Sequence, residues 1–205
     1  NLLPPDVNRG EFHFNVDGED NVIYGLGAIK GLGEGPIENI IEARKDGPFS
    51  DLFDFCARID PRKVNKRALE AMIRSGAFDG ISPKIDRDYD RAVMFAAMPE
   101  ASKAAEQSAA NANAGMVDLF GDVVPSGDSD GDVYQEFRHV RSWGIKEGLN
   151  GEKDTLGLYL TGHPIEEYRH ELKYLVSSRI TDLKPDKSSQ NVAGLVVGLR
   201  VMKTK

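Results

Sequence analysis

The chain has 205 residues, 40% of them hydrophobic, enough apolar material for one or two modest domains. Its net charge of −7 excludes a broad electrostatic grip on nucleic acid and confines any such contact to a local, backbone-led patch. The single cysteine, Cys56, excludes an internal disulfide framework and fits a reducing cytoplasm, and no apolar run reaches membrane-spanning length. The chain opens at "NLLPPDVN" without methionine or signal peptide and stops at "VMKTK" after a strand-like run, so it reads as a piece of something larger.

Residues 1–22 are extended and turn-rich: "LPPDVN" precedes "EFHFNVDGED", where Phe12, Phe14 and Val16 alternate as in a short strand. Residues 23–98 carry helical periodicity. Pro36 fits the first turn of a helix with Ile37, Ile40 and Ile41 on one face, ended by Gly47-Pro48. "FSDLFDFCARI" predicts a second helix with Ser50 as N-cap and Leu52, Phe53 and Phe55 inward; Cys56 among them reads as a small core residue. "NKRALEAMIRSGAF" predicts a third, with Asn65 as cap, Leu69, Met72 and Ile73 as its stripe, and Gly76 at its end. "DRAVMFAAM" predicts a fourth.

Across residues 99–135 the character changes. "EASKAAEQSAANANAG" is small and polar and "GDVVPSGDSDGDV" is rich in Gly, Ser and Asp, so a flexible linker is expected. One apolar island, "MVDLF" at residues 116–120, is either a satellite core contact or an exposed anchor. Residues 136–188 return to helix: "EKDTLGLYL" stops at "TGHP", where His163 beside Pro164 reads as a helix end, and "IEEYRHELKYL" resumes. Trp143 in "RSWGIKE" reads as a local packing anchor. Residues 189–205 alternate and are rich in valine, as an edge or barrel strand would be. His13, His139 and His170 have no metal-ligand spacing among themselves or with Cys56. The expected fold class is mainly α, without a repeat of fixed period.

Five glycines fall between Gly25 and Gly35, directly before a helix. No Gly-Lys-Ser/Thr occurs, so a P-loop is excluded, and Lys30 stands where the third glycine of a dinucleotide fingerprint belongs. The remaining reading is a helix-hairpin-helix: a short helix "GLGAIK", a tight "GLGEG" turn, then the isoleucine helix. Glycines there permit positive φ, and the second helix's free N-terminal amides point at one backbone phosphate without reading bases. A structural αα-hairpin that touches nothing is the alternative, and Glu34 in the turn favours it. Between Arg58 and Arg74 lie six basic residues (Arg58, Arg62, Lys63, Lys66, Arg67, Arg74) against two acidic ones (Asp60, Glu70). "DPRKVNKR" sits at a predicted helix N-terminus, where the helix dipole disfavours cations, and a phosphate backbone would explain it.

"LLPPDVN", "YGLGAIKGLGEG", "GPFSDLFDFCARID", "NKRALEAMIRSGAFD", "EKDTLGLYLTGHP" and "AGLVVGLRVMKTK" occur in this order. Together they resemble the bacterial DNA polymerase III alpha subunits, the family-C replicative DNA polymerases, over nearly the whole chain. The resemblance implies a DNA-directed DNA polymerase whose catalytic palm, with its Mg²⁺, lies upstream and outside this chain, so that no cofactor is expected here. None of Asp6, Asp17, Asp51, Asp54 or Asp60 matches the palm motif. It implies the end of the fingers or a connection at 1–22, a tandem helix-hairpin-helix at 23–98, and a flexible linker with a sliding-clamp motif at 99–135. A helical connector at 136–188 and the first strand of an OB-fold at 189–205 would follow. Duplex DNA would be held, independently of sequence, by Lys30, Gly31, Gly33, Gly35, Arg62, Lys63, Lys66 and Arg67. The sliding clamp would be met by Met116, Val117, Asp118, Leu119 and Phe120; Asp118, Leu119 and Phe120 match the motif, whereas Met116 replaces its usual glutamine. Other holoenzyme subunits would be reached through the parent chain, in the cytoplasm. Two readings compete: a pure scaffold between fingers and OB domain, and a helix-hairpin-helix module of a DNA repair protein.

Overall fold

The structure, a computed structural model, describes residues 1–113, 132–185, 187–196 and 198–202. They fall into two units, Asn1–Thr161 and Gly162–Lys205. The first unit opens on a three-stranded sheet in the order β1-β3-β2, formed by β1 (Leu2–Leu3), β2 (Asn15–Val16) and β3 (Val22–Ile23). Leu2 lies opposite Val22 in the parallel pair and Val16 opposite Val22 in the antiparallel one. The predicted alternation over Phe12, Phe14 and Val16 thus yields a strand only at its end. Phe12 packs against the core, whereas Phe14 is 50% and Val16 64% exposed. Phe14 instead stacks on Tyr24, ring centroids 4.6 Å apart.

The helices start and stop where local chemistry requires. Helix α1 (Glu34–Ala43) buries Ile37 and Ile40 with Ile41 at its flank, and ends through a 3₁₀ turn (Arg44–Asp46) at Gly47, φ 126°. Helix α2 (Leu52–Arg58) buries Leu52, Phe53, Phe55 and Cys56. Its N-cap is Asp51 rather than the predicted Ser50, because the carboxylate accepts from the amides of both Phe53 and Asp54, and Ser50 donates its hydroxyl to Asp51. Helix α3 (Lys66–Ser75) is capped as predicted, Asn65 Oδ1 accepting from Ala68 N at 3.0 Å and Gly76 taking the left-handed region at φ 84°. The aromatic rings of Phe49, Phe55 and Phe78 form an edge-on ladder through the core, at 4.9 and 4.8 Å.

The expected linker shrinks from both sides. Helix α4 (Arg87–Asn113) passes through Pro99 and runs on to Asn113 instead of ending at Met98. Ala97, Ala101 and Ala105 recur every fourth residue against the core, so a segment that reads as small and polar is an alanine stripe with a polar back. At the far side, Tyr134 is buried and its hydroxyl accepts from Leu52 N at 2.9 Å, while Phe137 packs near Phe53. Helix α5 (Ile145–Leu156) ends at Gly157, φ 82°. Trp143 just before it is the packing anchor expected, edge-on to Phe95 at 5.7 Å.

The second unit holds a 3₁₀ turn (Pro164–Tyr168), α6 (Arg169–Leu175) and a further 3₁₀ turn (Ile180–Asp182). His163 starts the first of these rather than ending a helix, its Nδ1 accepting from Ile165 N at 3.2 Å. The predicted strand at 189–205 is not formed among the described residues. A strand needs a partner, and among the described residues Asn191 pairs with Ser177 alone, while Val196, Leu199 and Val201 are exposed. No helix among the described residues is long and apolar enough to cross a membrane.

Candidate nucleic-acid interface

The glycines of the first hairpin divide into three physical classes. Gly25 and Gly27 permit close approach: an added Cβ would lie 2.7 Å from the His13 carbonyl carbon and 2.8 Å from the Phe12 oxygen, respectively. Here Leu26 N donates to Glu11 O and Gly27 N to Phe12 O, so the predicted helix "GLGAIK" reduces to one 3₁₀ turn, Leu26–Ala28. Gly31 makes the turn itself at φ 87°. Gly33 and Gly35 belong to neither class. Gly33 has an ordinary φ of −86°, and an added Cβ at either glycine meets nothing within 4 Å. Among the described residues nothing requires them to be glycine.

Leu26, Ile29 and Leu32, all buried, peg the turn to the core and leave Lys30, Gly31, Gly33, Glu34 and Gly35 exposed. Gly33 offers α1 no side-chain cap, and the first helical bond runs from Ile37 N to Gly33 O. The amides of Glu34 and Gly35 therefore precede the helix ladder, at its positive end. Glu34 stands in that first turn.

The second hairpin joins α2 to α3 through residues 59–65, pegged by buried Val64. Asp60 organises it: its carbonyl accepts from Lys63 N and Val64 N, and its carboxylate from Arg62 N. Asn39 of α1 accepts from Asp60 N at 2.8 Å and ties the two hairpins together. Arg62 donates to both carboxylate oxygens of Asp60 at 3.1 Å, which holds that carboxyl below the usual range and offsets the arginine's charge. Lys63, Lys66 and Arg67 are exposed, and among the described residues no carboxylate lies within ion-pair distance of them. The last two occupy the first turn of α3.

Two residues of the basic run are structural instead. Arg58 donates to the carbonyls of Ala43, Gly47 and Pro48 and lies over the Phe49 ring at 4.5 Å. Arg74 lies beside Glu70 and over Phe95 and Trp143. Facing the second hairpin is a groove of about 300 Å³, whose far wall is α4 at Met98, Pro99, Ser102 and Lys103.

The helix-hairpin-helix motif family matches residues 1–88, the span that contains both hairpins. Along its entire length the chain is 52% identical to the DNA polymerase III subunit alpha of Pseudomonas fluorescens, 51% to that of Pseudomonas aeruginosa, and 45% to that of Escherichia coli K12. Over its whole length the chain is similar to one segment of the DNA polymerase III alpha subunits. It spans about 18% of the length of the two Pseudomonas relatives and 17% of the Escherichia coli one.

Each of the five aspartates set aside from catalysis has a structural partner. Asp6 accepts from the amides of Asn8 and Arg9, and Asp17 from those of Glu19 and Asn21. Asp51 caps α2, Asp54 pairs with Arg58, and Asp60 pairs with Arg62. Burial pushes the Cys56 thiol up to about 12, as suits an inert core residue. Met116, Val117, Asp118, Leu119 and Phe120 lie outside the described residues.

Sequence reasoning missed a buried ion cluster. Arg91, fully buried, binds Asp79 at 2.6 and 2.9 Å and Glu152 at 3.1 Å, and Glu152 accepts in turn from Leu160 N, Thr161 N and the Thr161 hydroxyl. Burial alone would raise the Glu152 carboxyl; the bonds from Thr161 and Leu160 and the charge of Arg91 outweigh it and hold the carboxyl low. Asp79 is raised by burial despite Arg91. The partners are remote in sequence, so no local pattern announces them.

Proposed function

We propose that this segment grips the backbone of duplex DNA through its two hairpins and tethers its polymerase to a sliding clamp, so that synthesis proceeds without release. The observation that carries the first half is the Lys30–Gly35 turn. It is exposed, it offers uncapped helix amides, and its Gly33 and Gly35 serve no internal packing. A phosphate approaching those amides gives such glycines a purpose, since a Cβ at either would stand in its way. Lys30 in the first hairpin and Lys63, Lys66 and Arg67 in the second add charge without base readout.

The clamp half rests on the sequence of Asp118, Leu119 and Phe120 and on the family. Clamp tethering makes rebinding intramolecular at high effective concentration. The parent protein would be a cytoplasmic DNA-directed DNA polymerase whose metal-dependent chemistry lies elsewhere in its length, with residues 189–205 contributing an OB-fold strand once their partners are present. Fluorescence anisotropy at low salt on two duplexes of unrelated sequence tests the DNA reading. Equal affinities are expected; no binding would favour the scaffold reading, and a preference for one sequence would contradict a backbone-only grip.

A further inference from the structure

The exposed hairpin turn hangs on α5. The Lys30 amide donates to the Thr155 carbonyl at 2.9 Å, and the buried Tyr24 donates its hydroxyl to the Leu156 carbonyl at 2.9 Å. Both acceptors belong to the last turn of α5, whose carbonyls have no partner within the helix. That turn is itself fixed from behind. Glu152 holds it to Arg91 and to the amides of Leu160 and Thr161. Gly148 and Gly151 bring it close to α4 and α3: an added Cβ would lie 2.4 Å from Asp88 Oδ1 and 3.3 Å from Arg74 O. A helix that reads as a connector is therefore built into the support of the hairpin.

We propose that the last turn of α5 is a shelf that positions the DNA-contacting hairpin, with Tyr24 and Glu152 as positioning residues that touch no DNA themselves. The proposal rests on the phosphate-contact reading. Amide–phosphate hydrogen bonds tolerate only a few tenths of an ångström, so a hairpin freed at one anchor spends part of its time misaligned. Affinity then falls although the number of phosphate contacts in the bound state is unchanged.

The test uses the full chain, a short duplex and anisotropy across a salt series, with amide hydrogen exchange on the free protein. Tyr24→Phe keeps the ring and removes only the hydroxyl. It should raise the Kd about threefold to tenfold, the effect of one net hydrogen bond, with the salt slope unchanged and faster exchange at the bonded amides of Lys30 and Leu32. Lys30→Ala provides the contrast, its slope falling by about one. A Tyr24→Phe chain that binds like wild type, with or without a lower melting temperature, would overturn the role. Should that variant not fold, the unaltered chain still decides. Its Lys30 amide should exchange as slowly as the interior of α5, and exchange at the rate of an open turn would overturn the shelf. Failure of the unaltered chain to bind duplex would remove the DNA reading and this role together. Normal binding with an indifferent Tyr24→Phe would remove this role alone.

Discussion

The guanidinium of Arg91 lies 3.1 Å from the carboxylate of Glu152, and neither side chain exposes any surface. A pair this deeply buried is weak evidence of net stabilisation, but breaking it is costly, because the surviving charge stays buried without its partner. Glu152 also serves the amides of Leu160 and Thr161, which its removal would leave unsatisfied. Glu152→Ala should therefore lose about 3–5 kcal/mol in a urea titration, and a loss below ~1 kcal/mol would show that the cluster is dispensable.

The two carboxylates of this cluster respond to acid with opposite sign. Glu152 is held below its ordinary value of 4.5, so its contribution is present above that pH and disappears as pH falls through its folded value. Asp79 is raised above its ordinary 3.8 by burial, so protonation there favours the folded state. Asp79→Asn removes the compensating term and should steepen the loss of stability below about pH 4.5. Thermal melts across that range check it; an unchanged acid profile would contradict the assignment.

Much of the helical frame was legible because its signals are local. Asn65 and Gly76 bracket α3 through bonds to neighbours three or four residues away, and Ile37 and Ile40 share a face at helical spacing. Ser50 and Asp51 are adjacent cap candidates, and only geometry shows which one accepts two amides. Composition misled where small residues pack: Ala101 and Ala105 continue α4 into a segment that looks like linker. In the site, pattern identified the turn and the exposed cations but not which basic residues point inward. Arg58 and Arg74 look identical in sequence to Lys66 and Arg67, and only tertiary carbonyls and rings claim the first two. The tail alternates like a strand, yet alternation cannot supply the neighbour that a strand pairs with.

The glycine classes separate stability from binding. Gly35→Ala replaces a helical glycine that meets nothing, so it should stabilise the chain by about 0.5–1 kcal/mol while weakening duplex binding. Gly31→Val should cost about 1–2 kcal/mol through its positive φ. Gly25→Ala should destabilise through backbone contact with His13 and leave the affinity of the folded fraction unchanged. Paired melts and anisotropy read all three. A Gly35→Ala chain that binds DNA normally would return the hairpin to a structural role.

For the clamp, the double change Leu119→Ala, Phe120→Ala should remove about 2–4 kcal/mol of binding, enough to abolish a micromolar contact. Met116→Gln should tighten binding by roughly 0.5–1.5 kcal/mol if the glutamine reaches a polar rim. Calorimetry against the cognate clamp measures both, with the melting temperature nearly unchanged. Wild-type affinity in the double variant would show that "MVDLF" is not the tether.

The claim that two hairpins hold a DNA backbone is tested most directly by the salt dependence of duplex binding in the variant Lys66→Ala, Arg67→Ala. These cations are exposed, without an ion-pair partner among the described residues, and at the first turn of α3. If each meets a phosphate, the magnitude of the log–log salt slope should fall by about two, by the same amount on duplexes of unrelated sequence. A slope equal to that of the unaltered chain would contradict the account.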